Sequence, residues 1–118
     1  MTLQHATLET RREDTDAEVA FWALLGFARV DPPEALRDRA AWVQAGPTQI
    51  HLLLADEPVV MPAGHVAVVC PAFDDTMDAL RAAGFAPERR AEHWGAARAF
   101  VRSAAGHLVE VMAAPPTR

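Results

Sequence analysis

The chain has 118 residues, 51% of them hydrophobic and 23% charged, and its 11 basic and 16 acidic side chains give a net charge of −5. That length allows one domain, 1–118, with a real core, and the acid excess, with no Lys and only scattered Arg, excludes the dense basic face that nucleic-acid binding needs. The lone cysteine, Cys70, leaves no intrachain disulfide and points to a cytoplasmic protein. The opening Met-Thr-Leu-Gln-His lacks the basic and apolar regions of a signal peptide, and no apolar stretch approaches the ~20 residues of a membrane helix.

In chain order, residues 3–9 are short and β-compatible. Asp14-Thr15-Asp16 offers helix N-caps, and Val19, Trp22, Ala23 and Leu24 or Leu25 follow at helical spacing until Gly26, placed as a C′ residue. The stretch Asp31–Asp38 reads as a mobile loop able to cover a cleft. Residues 40–45 and 48–54 read as strands around a Gly46-Pro47 turn. Pro58 and Pro62 flank a short apolar linker. Residues 65–70 are strand-like and closed by Pro71. Asp74-Asp75-Thr76 is expected to cap a helix bearing Met77 and Leu80 and ending at Gly84. Residues 97–102 and 107–113 complete the strands, and Pro115-Pro116 ends the structured region.

The second half repeats the first. His5 falls on His65 at an offset of 60, Leu25-Gly26-Phe27 on Ala83-Gly84-Phe85 at 58, and Ala41-Trp42-Val43-Gln44 on Ala99-Phe100-Val101-Arg102 at 58. Ala45-Gly46 falls on Ala105-Gly106 at 60 and His51 on Glu110 at 59. A drift of two residues is what small loop insertions produce. The repeat defines two modules, 1–57 and 63–114, each strand, helix, then further strands.

Four metal-ligand residue types occupy matched places: His5 and His51 lie 46 positions apart, and His65 and Glu110 lie 45 apart. Strand alternation puts His51 opposite Ile50, Leu52 and Leu54, and Glu110 opposite Val109 and Val111, so each polar residue can face a cleft while its neighbours pack under a helix. His107 and Cys70 alternate away from Glu110 and His65, and read as outside the site. A lone His in a strand is ordinarily a hydrogen-bonded core or surface residue; four at repeat-matched places point to one shared metal site. Three imidazoles and a carboxylate suit Zn, Ni, Co, Fe or Mn better than Ca or Mg, which prefer all-oxygen shells.

The chain resembles the vicinal oxygen chelate superfamily (glyoxalase, bleomycin-resistance protein, dioxygenase). The resemblance rests on Leu3-Gln4-His5-Ala6-Thr7-Leu8, Phe21-Trp22 with Leu25-Gly26-Phe27, Gln49-Ile50-His51-Leu52, Gly64-His65-Val66-Ala67, Trp94-Gly95 and Gly106-His107-Leu108-Val109-Glu110-Val111. It implies an α+β fold of two βαβββ modules with curled mixed sheets around a cleft. It also implies a divalent transition metal held by His5, His51, His65 and Glu110, acting as a Lewis acid on vicinal oxygens of a small-molecule substrate. Glu110 is then the catalytic base, Trp94 and Arg98 border the substrate, and a homodimer is expected. His51 stands where glyoxalase I enzymes commonly have a carboxylate, which sets this chain apart from strict glyoxalase I. Ser103-Ala104-Ala105-Gly106 replaces the family's usual Asp-Pro-Asp-Gly turn.

The absence of Tyr counts against ring-cleaving dioxygenase chemistry, and a fosfomycin-type thiol transferase would have only Arg to hold a phosphonate. The non-enzyme alternative is a metal-free drug-binding protein of the bleomycin-resistance kind, for which Trp22, Trp42, Trp94, Phe73 and Phe100 supply aromatic surface.

Overall fold

Each half of the chain runs strand, helix, three strands. The first set is β1 (His5–Thr10), α1 (Thr15–Leu24), β2 (Ala28–Val30), β3 (Ala40–Ala45) and β4 (Thr48–Leu54). The second is β5 (Val66–Val69), α2 (Phe73–Ala82), β6 (Glu88–Arg89), β7 (Arg98–Arg102) and β8 (Leu108–Met112). The computed structural model describes residues 1–116, and the chain divides into two compact units, Met1–Val60 and Met61–Arg118. Each unit holds one four-stranded mixed sheet, ordered β1-β4-β3-β2 or β5-β8-β7-β6. β1/β4 and β5/β8 pair parallel and the other neighbours antiparallel. The architecture is α+β, as the resemblance implies. Among the described residues no helix is long and apolar enough to cross a membrane.

Both helices stop by the same device. Phe27 N–H reaches Trp22 C=O at 3.0 Å and Gly26 N–H reaches Ala23 C=O at 3.1 Å; Phe85 to Leu80 and Gly84 to Arg81, both at 3.0 Å, repeat the pattern. This is the Schellman arrangement, in which the residue after the cap adopts positive φ. Gly26 at 92° and Gly84 at 93° meet that requirement without the penalty a Cβ would bring.

The helix starts differ from the sequence expectation. No side chain caps either N-terminus; Thr15 Oγ1 and Thr76 Oγ1 instead donate back to Arg11 C=O and Ala72 C=O, at 3.2 and 2.9 Å. α2 begins at Phe73, so Asp74 and Asp75 lie inside its first turn, where their charge favours the positive end of the helix dipole. The buried stripe of α1 is also rotated from the one expected: Glu18, Phe21 and Trp22 are buried and Leu25 follows, while Val19 is only half-buried and Ala23 exposed. The reason is polar. Trp22 Nε1–H donates to Glu18 Oε2 at 3.0 Å, one turn earlier, so the indole donor enters the core with its acceptor.

Apart from β8, where Val109, Glu110, Val111 and Met112 are all buried, the core strands follow the period of two. In the first unit Ala41, Val43, Ile50 and Leu52 are buried, and in the second Ala99, Val101, Val109 and Val111. Phe73, Met77 and Leu80 supply the buried stripe of α2. Burying each Val, Ile or Leu of these strands contributes ~1.5–3 kcal/mol, which pins the register, since a slip by one residue would turn every one of them outward. The opposite faces carry Trp42 and His51 in one unit and Phe100 and Glu110 in the other, with Leu53 and Val69 exposed beside them. The loop 31–38 is tied rather than free: Glu34–Leu36 form a 3-10 turn, Arg37 Nε donates to Pro32 C=O at 3.2 Å, and Arg12 donates to Asp38 C=O at 2.9 Å.

Candidate functional site

In the first unit the register sets Thr7, His51 and Trp42 side by side on β1, β4 and β3, with His5 one pleat away on β1. The rings form a ladder. His51 lies flat on Trp42, centroids 3.9 Å apart and planes 2° apart, and His5 stacks on His51 at 3.9 Å and 14°. Amide oxygens accept only, so the contacts fix the tautomers. His51 Nε2–H donates to Gln49 Oε1 at 2.7 Å, leaving Nδ1 as the lone pair, and His5 Nδ1–H donates to Gln4 Oε1 at 2.6 Å, leaving Nε2. Gln49 is held in turn by its Nε2–H to Gln44 Oε1 at 2.7 Å. Burial, and secondly the like charge of His5, hold the His51 pKa below the ordinary value of 6.5.

In the second unit His65 immediately precedes β5, and Glu110 sits at the middle of β8 with its side chain almost buried. His65 Nδ1–H donates to Ala63 C=O at 2.9 Å, and Nε2 faces Glu110 Oε1 at 3.2 Å. The other carboxylate oxygen, Oε2, accepts from Arg98 at 3.2 Å, and Arg98 and Glu110 are only 12% and 10% exposed. Phe100, opposite Glu110 on β7, meets the His65 ring edge-on at 4.9 Å.

The two pairs differ as cation donors. With Nδ1–H given to Ala63, His65 turns Nε2 toward a carboxylate oxygen, so a proton on Nε2 makes the contact an ion pair and loss of that proton leaves a lone pair there. A metal ion can take the place of the Nε2 proton, and the 3.2 Å spacing matches neighbouring ligands of an ion with bonds of ~2.0–2.2 Å. The backbone carbonyl behind Nδ1 is the usual support of a metal-binding imidazole. This pair fits a divalent transition metal. The stacked pair does not converge as it stands, because imidazole lone pairs lie in the ring plane and these planes run side by side; one ring has to turn before both can ligate. His5, exposed and held by Gln4 and by its stacking on His51, is the freer of the two, since His51 is stacked on both sides and half-buried. Among the described residues no three His, Cys, Asp or Glu side chains gather.

Trp94 donates its Nε1–H to Ala114 C=O at 2.9 Å, and the Arg98 guanidinium lies 5.8 Å from its ring centroid. Arg98 Nε also donates to Ala91 C=O at 2.7 Å. Both residues expected to border a substrate are thus tied into the setting of Glu110. His107 is buried beyond the turn, its backbone N–H donating to Ser103 Oγ at 3.0 Å. Cys70 is buried, and burial raises its thiol pKa, opposed in part by a hydrogen bond with Thr76. Sequence reading passed over Gln49, although its same-face spacing from His51 was a usable signal. It also gave Phe100 no place beside His65, although the repeat aligned Phe100 with Trp42.

Solved structures share the whole fold. A protein described as a glyoxalase-family member from Bacillus anthracis superposes with a TM-score of 0.84 at 18% identity, covering 95% of this chain and 93% of its own. The oxidase ChaP-H2 gives 0.77 at 16%, covering 98% and 95%. A lactoylglutathione lyase from Agrobacterium tumefaciens gives 0.70 at 19%, covering 94% and 92%. No curated protein matches the chain. The family model described as the Glyoxalase/Bleomycin resistance protein/Dioxygenase superfamily matches residues 2–111, and this chain belongs to that superfamily.

Proposed function

We propose that this protein is a glyoxalase-like, metal-dependent enzyme of the lyase or isomerase type, acting on a small oxygen-chelating molecule. His65 and Glu110 are the donors of the second unit, and His5 and His51 those of the first. The observation that carries this reading is the approach of His65 Nε2 to Glu110 Oε1 at 3.2 Å with Nδ1–H already donated. When bound, a Zn, Ni, Co, Fe or Mn ion supplies Lewis-acid polarisation of substrate oxygens. The chain's own residues do the rest. Ala63 C=O fixes the tautomer of His65. Arg98 holds one oxygen of Glu110, so the other is presented in a set direction. Glu110 is the group placed to take a proton from substrate and return it. A homodimer acting in the cytoplasm completes the proposal, and light scattering on the purified protein reads its association state.

The test is elemental analysis of protein dialysed without chelator, beside the His65→Ala/Glu110→Ala double variant. About one transition ion per site in the parent, absent from the variant, supports the reading. A parent that stays empty after soaking in Zn, Ni, Co and Mn overturns it. A second reading, the metal-free binding protein, is favoured by one contact: Arg98 already gives Glu110 a nearly buried cationic partner at 3.2 Å.

A further inference from the structure

On the sheet face that carries Glu110 lies a cavity of about 440 Å³, walled in part by Glu88, Arg90, Phe100, Arg102 and Leu108. The register explains its position. Glu88 and Glu110 both stand opposite Phe100, one on each side, and Leu108 stands opposite Arg102. Phe100 therefore serves as a wall of the cavity and as the edge-on neighbour of His65. The volume is ordinary for a small-molecule pocket.

Its charge runs against that of the chain. Two guanidiniums face one carboxylate in a protein of net charge −5. Arg102 donates to the carbonyls of Met61, Pro62 and Gly106 at 3.0–3.3 Å, which fixes the side chain without cancelling its charge. Arg90 meets Glu88 at 3.3 Å, but the two side chains are 48% and 68% exposed. So exposed a pair is weak, and a ligand carboxylate can take the place of Glu88 at little cost. The guanidinium of Arg90 lies 5.7 Å from the Phe100 ring centroid, which puts a bidentate anion donor beside a flat apolar surface.

We propose that this cavity is the substrate pocket and takes a small carboxylate carrying an aromatic or other planar unsaturated group. Arg90 forks the carboxylate, the planar group lies against Phe100 and Leu108, and the reacting end extends toward Glu110; this last element rests on the enzyme reading above. The test is calorimetric titration of the full chain with benzoate, with benzamide as its uncharged isostere, and with phenylphosphonate. Benzoate is expected to bind at least tenfold more tightly than benzamide. Arg90→Gln should weaken benzoate at least tenfold and leave benzamide unchanged, Arg90→Lys should recover part of the loss, and Arg81→Gln on exposed α2 should change neither. Equal affinity for benzoate and benzamide, or benzoate binding indifferent to Arg90→Gln, overturns the pocket. A tenfold preference for phenylphosphonate overturns the carboxylate assignment. The same titration on the His65→Ala/Glu110→Ala variant separates the two readings. Benzoate retained there supports the pocket whatever the metal analysis shows, and a metal-loaded parent whose benzoate binding ignores Arg90 overturns the pocket alone.

Discussion

At the middle of its last strand the first unit carries His51 and the second Glu110, and each faces an aromatic ring on the neighbouring strand, Trp42 or Phe100. The backbone stations are the same and the surroundings are not. His51 is sandwiched flat between Trp42 and His5, with Gln49 holding its Nε2–H. Glu110 has Phe100 set aside against His65 and is gripped by Arg98 and approached by His65 Nε2. A neutral imidazole is satisfied by stacking and one amide oxygen. A nearly buried carboxylate has to find positive charge. The same fold position thus yields a quiet ring ladder in one copy and a charged cluster in the other.

The largest test of that contrast is metal affinity. Removing His65 and Glu110 together should lower it by about 100-fold or more in a chelator-competition titration, since the converging donors are lost. His51→Ala should change it much less, because in the parent that ring is stacked and does not converge with a second donor. Equal losses would show that the two pairs are equivalent ligands. Next is Arg98→Gln without metal. Leaving Glu110 without its guanidinium should cost about 2 kcal/mol in urea unfolding, between the values for exposed and for buried pairs. The same variant should bind metal more tightly, because a competing cation is gone.

A smaller effect concerns Trp42→Leu. It should cost about 1 kcal/mol and move the His51 pKa back up toward 6.5 in an NMR titration, because the ring becomes better solvated. The sign of the linked pH effect follows. A His whose folded pKa is lowered binds its proton more readily when unfolded. Its contribution to stability is therefore present above 6.5 and is lost as pH falls through the lowered folded value. His5→Gln should raise the pKa of His51 as well, by removing the like charge. The smallest effect tests what the copies share: Gly26→Ala and Gly84→Ala should each cost about 1 kcal/mol, because both force a Cβ into positive φ.

Much of the fold was legible because it rests on periodicity and on end signals. Strands 40–45 and 48–54 were bounded by their Gly-Pro turn and their alternation, and both helix stops by Gly-Phe. β2 and β6, three and two residues long, are too short for any period to register. The start of α2 was misplaced because Asp74 and Asp75 look like caps yet act through the helix dipole. At the site, alternation gave the faces of His51 and Glu110. It could not give the ladder or the Arg98–Glu110 pair, which depend on side-chain torsions and on partners from other strands. Glu18 inside the core was hidden for a related reason: a carboxylate reads as surface until its indole partner one turn on is considered.

The connection between the units is short and pinned at both ends. Val59 N–H is held by Glu9 Oε1 at 2.8 Å, while Arg102 grips the carbonyls of Met61 and Pro62. Each side of the junction is fastened within its own unit, and a connection this short spends little loop entropy in keeping the two duplicated halves on one polypeptide.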